Sequence, residues 1–110
     1  MGAGKHDEFA VRHNRIAQYA KALSHPARVA ILELLIKKDA CICGDIVDEL
    51  PLSQSTVSQH LKALKEARLI KGDIDGSSVC YCIDKKEWAE AQAVLSGLLS
   101  KISAKAVNCC

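Results

Sequence analysis

The 110-residue sequence predicts a mainly α fold of the α+β class, with elements in the order α-α-α-α-β-β-α. Three observations predict it. Apolar residues recur at helical spacing along most of the chain. Two short alternating runs, Ile70–Ile74 and Val79–Ile83, flank Asp75-Gly76, a hairpin signal. A helix with one polar face, beginning at Ser53, runs directly into that hairpin. The length fits one domain over residues 1–110, with 104–110 as a loose tail. A chain of this size buries roughly two-thirds of its unfolded surface, so association with a second subunit would add to a modest core.

Phe9, Ile16, Ala20 and Leu23 space out a first amphipathic helix over about 7–22. Ser24-His25-Pro26 stops it and starts the next, with Pro26 in the first turn, where its missing N–H costs nothing. Val29, Leu32 and Leu35, with Ile31 and Ile36 beside them, mark a strongly buried second helix. It ends at Lys37-Lys38, cations where the helix dipole favours them. Ala40-Cys41-Ile42-Cys43 is too short and apolar for a solvent loop. A short helix over about 44–50, with Ile46, Val47 and Leu50 inward, is then stopped by Pro51.

Ser53 is a suitable N-cap for the fourth helix. Val57, Leu61 and Leu64 form its inner stripe, while Ser55, Ser58, Gln59 and Lys62 point outward. In the hairpin, Val79, Tyr81 and Ile83 share one face of the second strand, and Cys80 and Cys82 share the other. Trp88, Ala91, Leu95, Leu98, Leu99 and Ile102 space out a last helix over about 85–103. A polar-faced helix followed at once by a hairpin is the arrangement of a DNA-reading helix with its wing, the winged helix-turn-helix plan.

Charge and cysteine placement refine this reading. Residues 53–72 carry a net +3 and residues 39–50 a net −4, so the reading segment is basic and the first cysteine segment acidic. A basic helix suits phosphate contact. Gln54 and Gln59 are candidates for base edges, since glutamine pairs bidentately with adenine. Ser55, Thr56, Ser58 and Lys62 suit phosphate or sugar, and Lys71, Ser77 and Ser78 of the wing suit the backbone or the minor groove. His60 borders the inner stripe and fits a phosphate contact or a structural histidine equally well.

The six cysteines fall into three close pairs, Cys41/Cys43, Cys80/Cys82 and Cys109/Cys110. No signal peptide, membrane span or myristoylation motif stands in the sequence, which places the chain in the reducing cytoplasm, where a disulfide framework is not expected. Soft thiolates select soft metals and metalloids. Cys80 and Cys82 fit either a second soft site or strand filler, and filler is the favoured reading.

The residues also carry a family resemblance. Leu23-Ser24-His25-Pro26-Ala27-Arg28-Val29-Ala30-Ile31-Leu32 resembles the L-x-x-P-x-R-x-x-I-L segment of the ArsR/SmtB repressors. Leu52-Ser53-Gln54-Ser55-Thr56-Val57-Ser58-Gln59-His60-Leu61 resembles their L-S-Q-x-T-V-S-x-H-L recognition helix, and Asp75-Gly76 with Val79, Tyr81 and Ile83 resembles their wing. Cys41-Ile42-Cys43 looks like the C-x-C of the arsenic and cadmium/lead sensors.

The resemblance implies a cytoplasmic homodimer, not an enzyme, associating through its first and last helices. It would bind double-stranded operator DNA and leave it when thiolates ligate a soft ion. As(III) or Sb(III) is the leading inducer, with Cd(II), Pb(II) or Zn(II), or thiol oxidation or persulfidation, as alternatives. Two sulfurs are too few for arsenite or a tetrahedral cation, so Cys109 and Cys110 are the expected further donors beside Cys41 and Cys43.

The chain departs from the family pattern at five points. Ile46 or Val47 stands where arsenic sensors place a third cysteine, and the C-x-C sits one residue early, with Gly44 as the extra residue. The N-terminal arm offers only His6, Asp7 and His13, and residues 85–103 contain no histidine for a last-helix zinc site. Arg68 stands where family members often carry glycine.

Overall fold

The computed structural model describes residues 9–43, 50–73 and 80–102. Helices α1 (Val11–Ala22) and α2 (Pro26–Lys38) lead to a short strand β1 (Ile42–Cys43). Helix α3 (Gln54–Glu66), the hairpin strands β2 (Ile70–Asp73) and β3 (Cys80–Ile83), and helix α4 (Lys85–Leu99) follow. Residues 44–49 of the helix expected over about 44–50, and the Asp75-Gly76 turn, lie outside the described residues. The mainly helical winged architecture read from the sequence is the one observed.

Local chemistry explains where the helices begin. His25 caps α2 by accepting the Ala27 amide hydrogen on Nδ1, with Pro26 following at the first helical position. Ser53 Oγ accepts from Thr56 N and Asp84 Oδ1 from Glu87 N, capping α3 and α4. These bonds satisfy donors that a helix start leaves unpaired. The spacing of Pro26 and Arg28 has a mechanical meaning as well. Arg28 donates its Nε to His60 Nδ1 of α3 and an Nη to the Lys21 carbonyl, so one side chain ties three helices.

The core is one cluster, with Tyr19, Ile31, Leu35, Val57, Leu64, Leu69, Ile70 and Tyr81 as its largest fully buried side chains. The α3 stripe of Val57, Leu61 and Leu64 is buried as its spacing predicts. The first helix differs. Its buried residues are Tyr19 and Ala22, and Ala20 faces solvent with Phe9 before it. Tyr19 is drawn inward by polar partners: its hydroxyl donates to Glu87 of α4 and accepts from Arg15, which also pairs with Glu90 at 2.9 Å. This junction holds α1 against α4. Desolvation and the Glu87 hydrogen bond raise the pKa of the Tyr19 phenol, keeping it a neutral donor.

The sheet has three strands in the order β1-β3-β2, both pairings antiparallel. The two-strand wing expected from the sequence thus gains a third, two-residue strand at Ile42–Cys43. Its inward residue Ile42 lies opposite buried Tyr81, so the apolar character of this segment is used in the core.

Arg68 adopts φ 66° at the turn after α3. This left-handed conformation costs a side-chain-bearing residue roughly 1 kcal/mol relative to glycine. Arg68→Gly is therefore expected to raise the urea midpoint by an amount equivalent to about 1 kcal/mol at unchanged m-value. A lower midpoint would refute this account of the turn.

Candidate nucleic-acid interface and thiol site

Helix α3 separates its two faces sharply. Ser53, Gln54, Ser55, Ser58, Gln59 and Lys62 border one shallow open concavity on its outer side. Of these, Ser58 is half-buried and the others are exposed; Thr56, half-buried, hydrogen-bonds to Ser53 Oγ at 2.9 Å through its own hydroxyl. A 13-residue helix is about 20 Å long and fits a major groove about 12 Å wide. Glutamine amides, hydroxyls and an ammonium converge there. Lys71 of the wing strand β2 is exposed. Ser77 and Ser78 lie outside the described residues.

His60 stands apart from this row. It is 8% exposed, accepts from Arg28, and its ring centroid lies 4.4 Å from that of His25. Of the two roles the sequence left open, burial places this ring in the α2–α3 junction, not on the outer face. Desolvation lowers its pKa, and the nearby His25 and Arg28 act in the same direction. The unfolded chain therefore binds a proton at higher pH than the folded one. The His60 contribution to stability is complete above about pH 6.5, declines as pH falls below that value, and levels off beneath the folded pKa. His60→Gln, which keeps an acceptor for Arg28, is expected to flatten this slope. Urea midpoints compared at about pH 7.5 and about pH 5.5 read it directly.

The thiols are arranged differently from what their sequence positions suggest. Cys41 and Cys82 form a disulfide with a Cα–Cα distance of 4.2 Å across 41 residues of chain. The register then puts Ile42 opposite Tyr81 and Cys43 opposite Cys80. Cys80 is likewise in disulfide form. The C-x-C before α3 and the C-x-C of the wing are therefore antiparallel neighbours on adjacent strands. Cys80 and Cys82, for which strand filler is the favoured reading of the sequence, stand in the structure beside Cys43 and Cys41. The available signal was the matching i, i+2 spacing of the two pairs, which in a sheet puts alternate residues on one side.

Cys41 and Cys82 also line an open cavity of about 510 Å³ together with Ile36, Lys71, Lys85 and Trp88. Small solutes have access to these sulfurs through it. The chemistry of this pair suits a soft ion, because reduction would leave two thiols within bonding reach of one another. Among the described residues no group of three or more metal-binding side chains stands assembled. Cys109 and Cys110 lie outside the described residues.

Comparison with known proteins places the chain among transcriptional regulators. The family described as "Bacterial regulatory protein, arsR family" matches residues 25–71, which contain α2, β1 and α3. The chain is 34% identical to the HTH-type transcriptional regulator Rv0081 of Mycobacterium tuberculosis, over 78% of its own length and 75% of that protein. It is 32% identical to the arsenical resistance operon repressor of Staphylococcus xylosus, over 63% of its length and 65% of the repressor. The crystal structure of M. tuberculosis Rv0081 superposes with a TM-score of 0.57 at 31% identity, covering 84% of this chain and 96% of that one.

Proposed function

This chain belongs to the arsR family of bacterial regulatory proteins, DNA-binding regulators and not enzymes, and on that premise we propose that it is a homodimeric repressor released from operator DNA when its thiols ligate a soft metal or metalloid. As(III) or Sb(III) is the leading inducer, with Cd(II), Pb(II) or Zn(II) as the divalent candidates. Gln54 and Gln59 read base edges, and Ser55, Thr56, Ser58, Lys62, Lys71 and Ser77 hold the backbone. Cys41 and Cys43 are the first ligands, and Cys109 and Cys110 are the sequence-based source of further sulfur. The protein acts in the cytoplasm as one domain; among the described residues no helix is long and apolar enough to cross a membrane.

The observation that carries this reading is the outward polar row of α3 joined to a wing whose central strand is covalently reached by Cys41. Dimerisation is supported by apolar side chains that the single chain leaves in solvent. Phe9 is 57% exposed, Val11 75%, Leu99 75% and Ile102 69%, all at or beside the first and last helices. Burying such side chains is worth about 25 cal/mol per Å², which favours pairing.

Release needs only that the inducer bind the DNA-incompetent state more tightly. A thousandfold loss of operator affinity corresponds to about 4 kcal/mol of differential binding. The test is a gel-shift titration of operator binding with arsenite, antimonite, Cd(II), Pb(II) and Zn(II) on reduced protein. At least one ligand is expected to release the DNA, and Lys62→Ala is expected to lower the salt dependence of binding by about one unit of slope. Operator affinity indifferent to every ligand would end the metal-sensor reading.

The Cys41–Cys82 disulfide supports a second reading, in which thiol oxidation or persulfidation is the signal. Under it, peroxide or polysulfide releases the DNA without any metal, and intact mass shows a linked or sulfur-bridged pair.

A further inference from the structure

We propose that Cys80 and Cys82 of the wing strand are ligands, so that Cys41, Cys43, Cys80 and Cys82 make one four-sulfur site spanning β1 and β3 within a single subunit. The inference rests on the thiol-ligation reading above and supplies the donors that reading lacks. It removes the need for sulfur from the C-terminal tail.

The geometry comes from the ladder. Cys41 and Cys82 already touch through their sulfurs, and Cys43 lies opposite Cys80 at the next register position of the same side. Alternate residues of a strand are about 6.6 Å apart at Cα, from a rise of about 3.3 Å per residue. Tetrahedral thiolate sites need sulfurs about 3.8 Å apart, from metal–sulfur bonds of about 2.3 Å. A cysteine sulfur extends far enough from its Cα to bring two alternate residues to that spacing. Two such pairs on neighbouring strands, about 4–5.5 Å apart at Cα, then surround a single ion.

Tyr81 and Ile42, the residues between the cysteines, are buried or packed against the core. They hold the backbone of the site in place, as a binding site on rigid elements requires. The cavity beside Cys41 and Cys82 opens the site to solvent.

The chemistry is thiolate ligation of a thiophilic ion. Arsenous acid takes three of the sulfurs: three S–H protons and three hydroxides leave as three waters, and three As–S bonds form. A divalent cation such as Cd(II) takes all four and displaces four protons. A disulfide presents no thiolate, so each must first accept two electrons and two protons from a phosphine or dithiol reductant. Ligation and oxidation therefore compete for the same sulfurs. A bound ion would tie the segment preceding α3 to the wing, the two parts that must be placed together on DNA.

The test uses full-length protein reduced with a phosphine, in wild type, Cys80→Ser/Cys82→Ser, Cys41→Ser/Cys43→Ser and Cys109→Ser/Cys110→Ser forms. Each is titrated with Cd(II), followed by thiolate-to-metal charge-transfer absorption, and with arsenite, followed by the number of thiols protected from a thiol reagent. Far-ultraviolet circular dichroism checks the fold, and the single variants Cys80→Ser and Cys82→Ser replace any double variant that fails it. Wild type is expected to show the charge-transfer intensity of four thiolates with Cd(II) and to protect three thiols with arsenite. Removing the wing pair is expected to lower Cd(II) affinity at least tenfold and to reduce the protected count.

Wild-type titration by Cys80→Ser/Cys82→Ser would overturn the four-sulfur site. If Cys41→Ser/Cys43→Ser alone lost binding in that case, the proposed inducer reading would stand without it. If neither pair mattered, both would fall. Loss confined to the Cys109→Ser/Cys110→Ser form would assign the extra sulfur to the tail and likewise overturn the inference.

Discussion

Alanine at position 72 is expected to separate the wing strands and to cost about 3–5 kcal/mol, the sum of backbone strain and overpacking. Gly72 has φ 125° and lies opposite Tyr81 in the β2–β3 ladder. A Cβ there would stand 2.1 Å from the Cys80 carbonyl oxygen and 2.8 Å from the Tyr81 Cα. Both neighbours are backbone, so no rotamer change relieves the overlap. The strands must move apart, and β3 carries both the buried Tyr81 and the wing cysteines. A domain of this size is stable by roughly 5–15 kcal/mol, so the loss is a large fraction of the whole. Urea unfolding measures it; a fall below about 1 kcal/mol would show that the close approach is not what position 72 requires. Operator affinity is expected to fall with it, because the wing no longer holds its place beside α3.

Replacing Cys41 and Cys43 together by serine is the second large effect, and it is expected in the response rather than in the fold. With the Cys41–Cys82 disulfide reduced, as ligation requires, Cys41 is exposed and β1 is an edge strand, so the core keeps its packing. A thousandfold inducer-driven release is expected to shrink to less than tenfold, a loss of at least about 2.7 kcal/mol of coupling. Fluorescence anisotropy of a labelled operator, with and without arsenite or Cd(II), gives this ratio directly. Unchanged release in the double variant would leave the stimulus unassigned.

Local patterns made much of the reader legible in advance. The Val57, Leu61 and Leu64 stripe, the Ser53 cap and the outward row from Gln54 to Lys62 depend on side chains three or four residues apart, and such spacing survives in any tertiary context. Arg68 was visible as a departure, but its positive φ was not, because a dihedral is not written in composition. His60 sat at the border of two faces, and only its contact with Arg28, 32 residues away, placed it inside.

By itself, then, the sequence determined helices α1 to α4, the two hairpin strands, the inner and outer faces of α3 and the presence of soft sulfur before and within the wing. Helical and strand periodicities are short-range, so they can be counted along a single chain. Tertiary structure alone decided that Ile42–Cys43 is a strand, that Tyr19 joins α4 through Glu87, and that Cys41 meets Cys82. Each of these joins residues tens of positions apart through a pairing register, and register is set by which faces the whole fold buries.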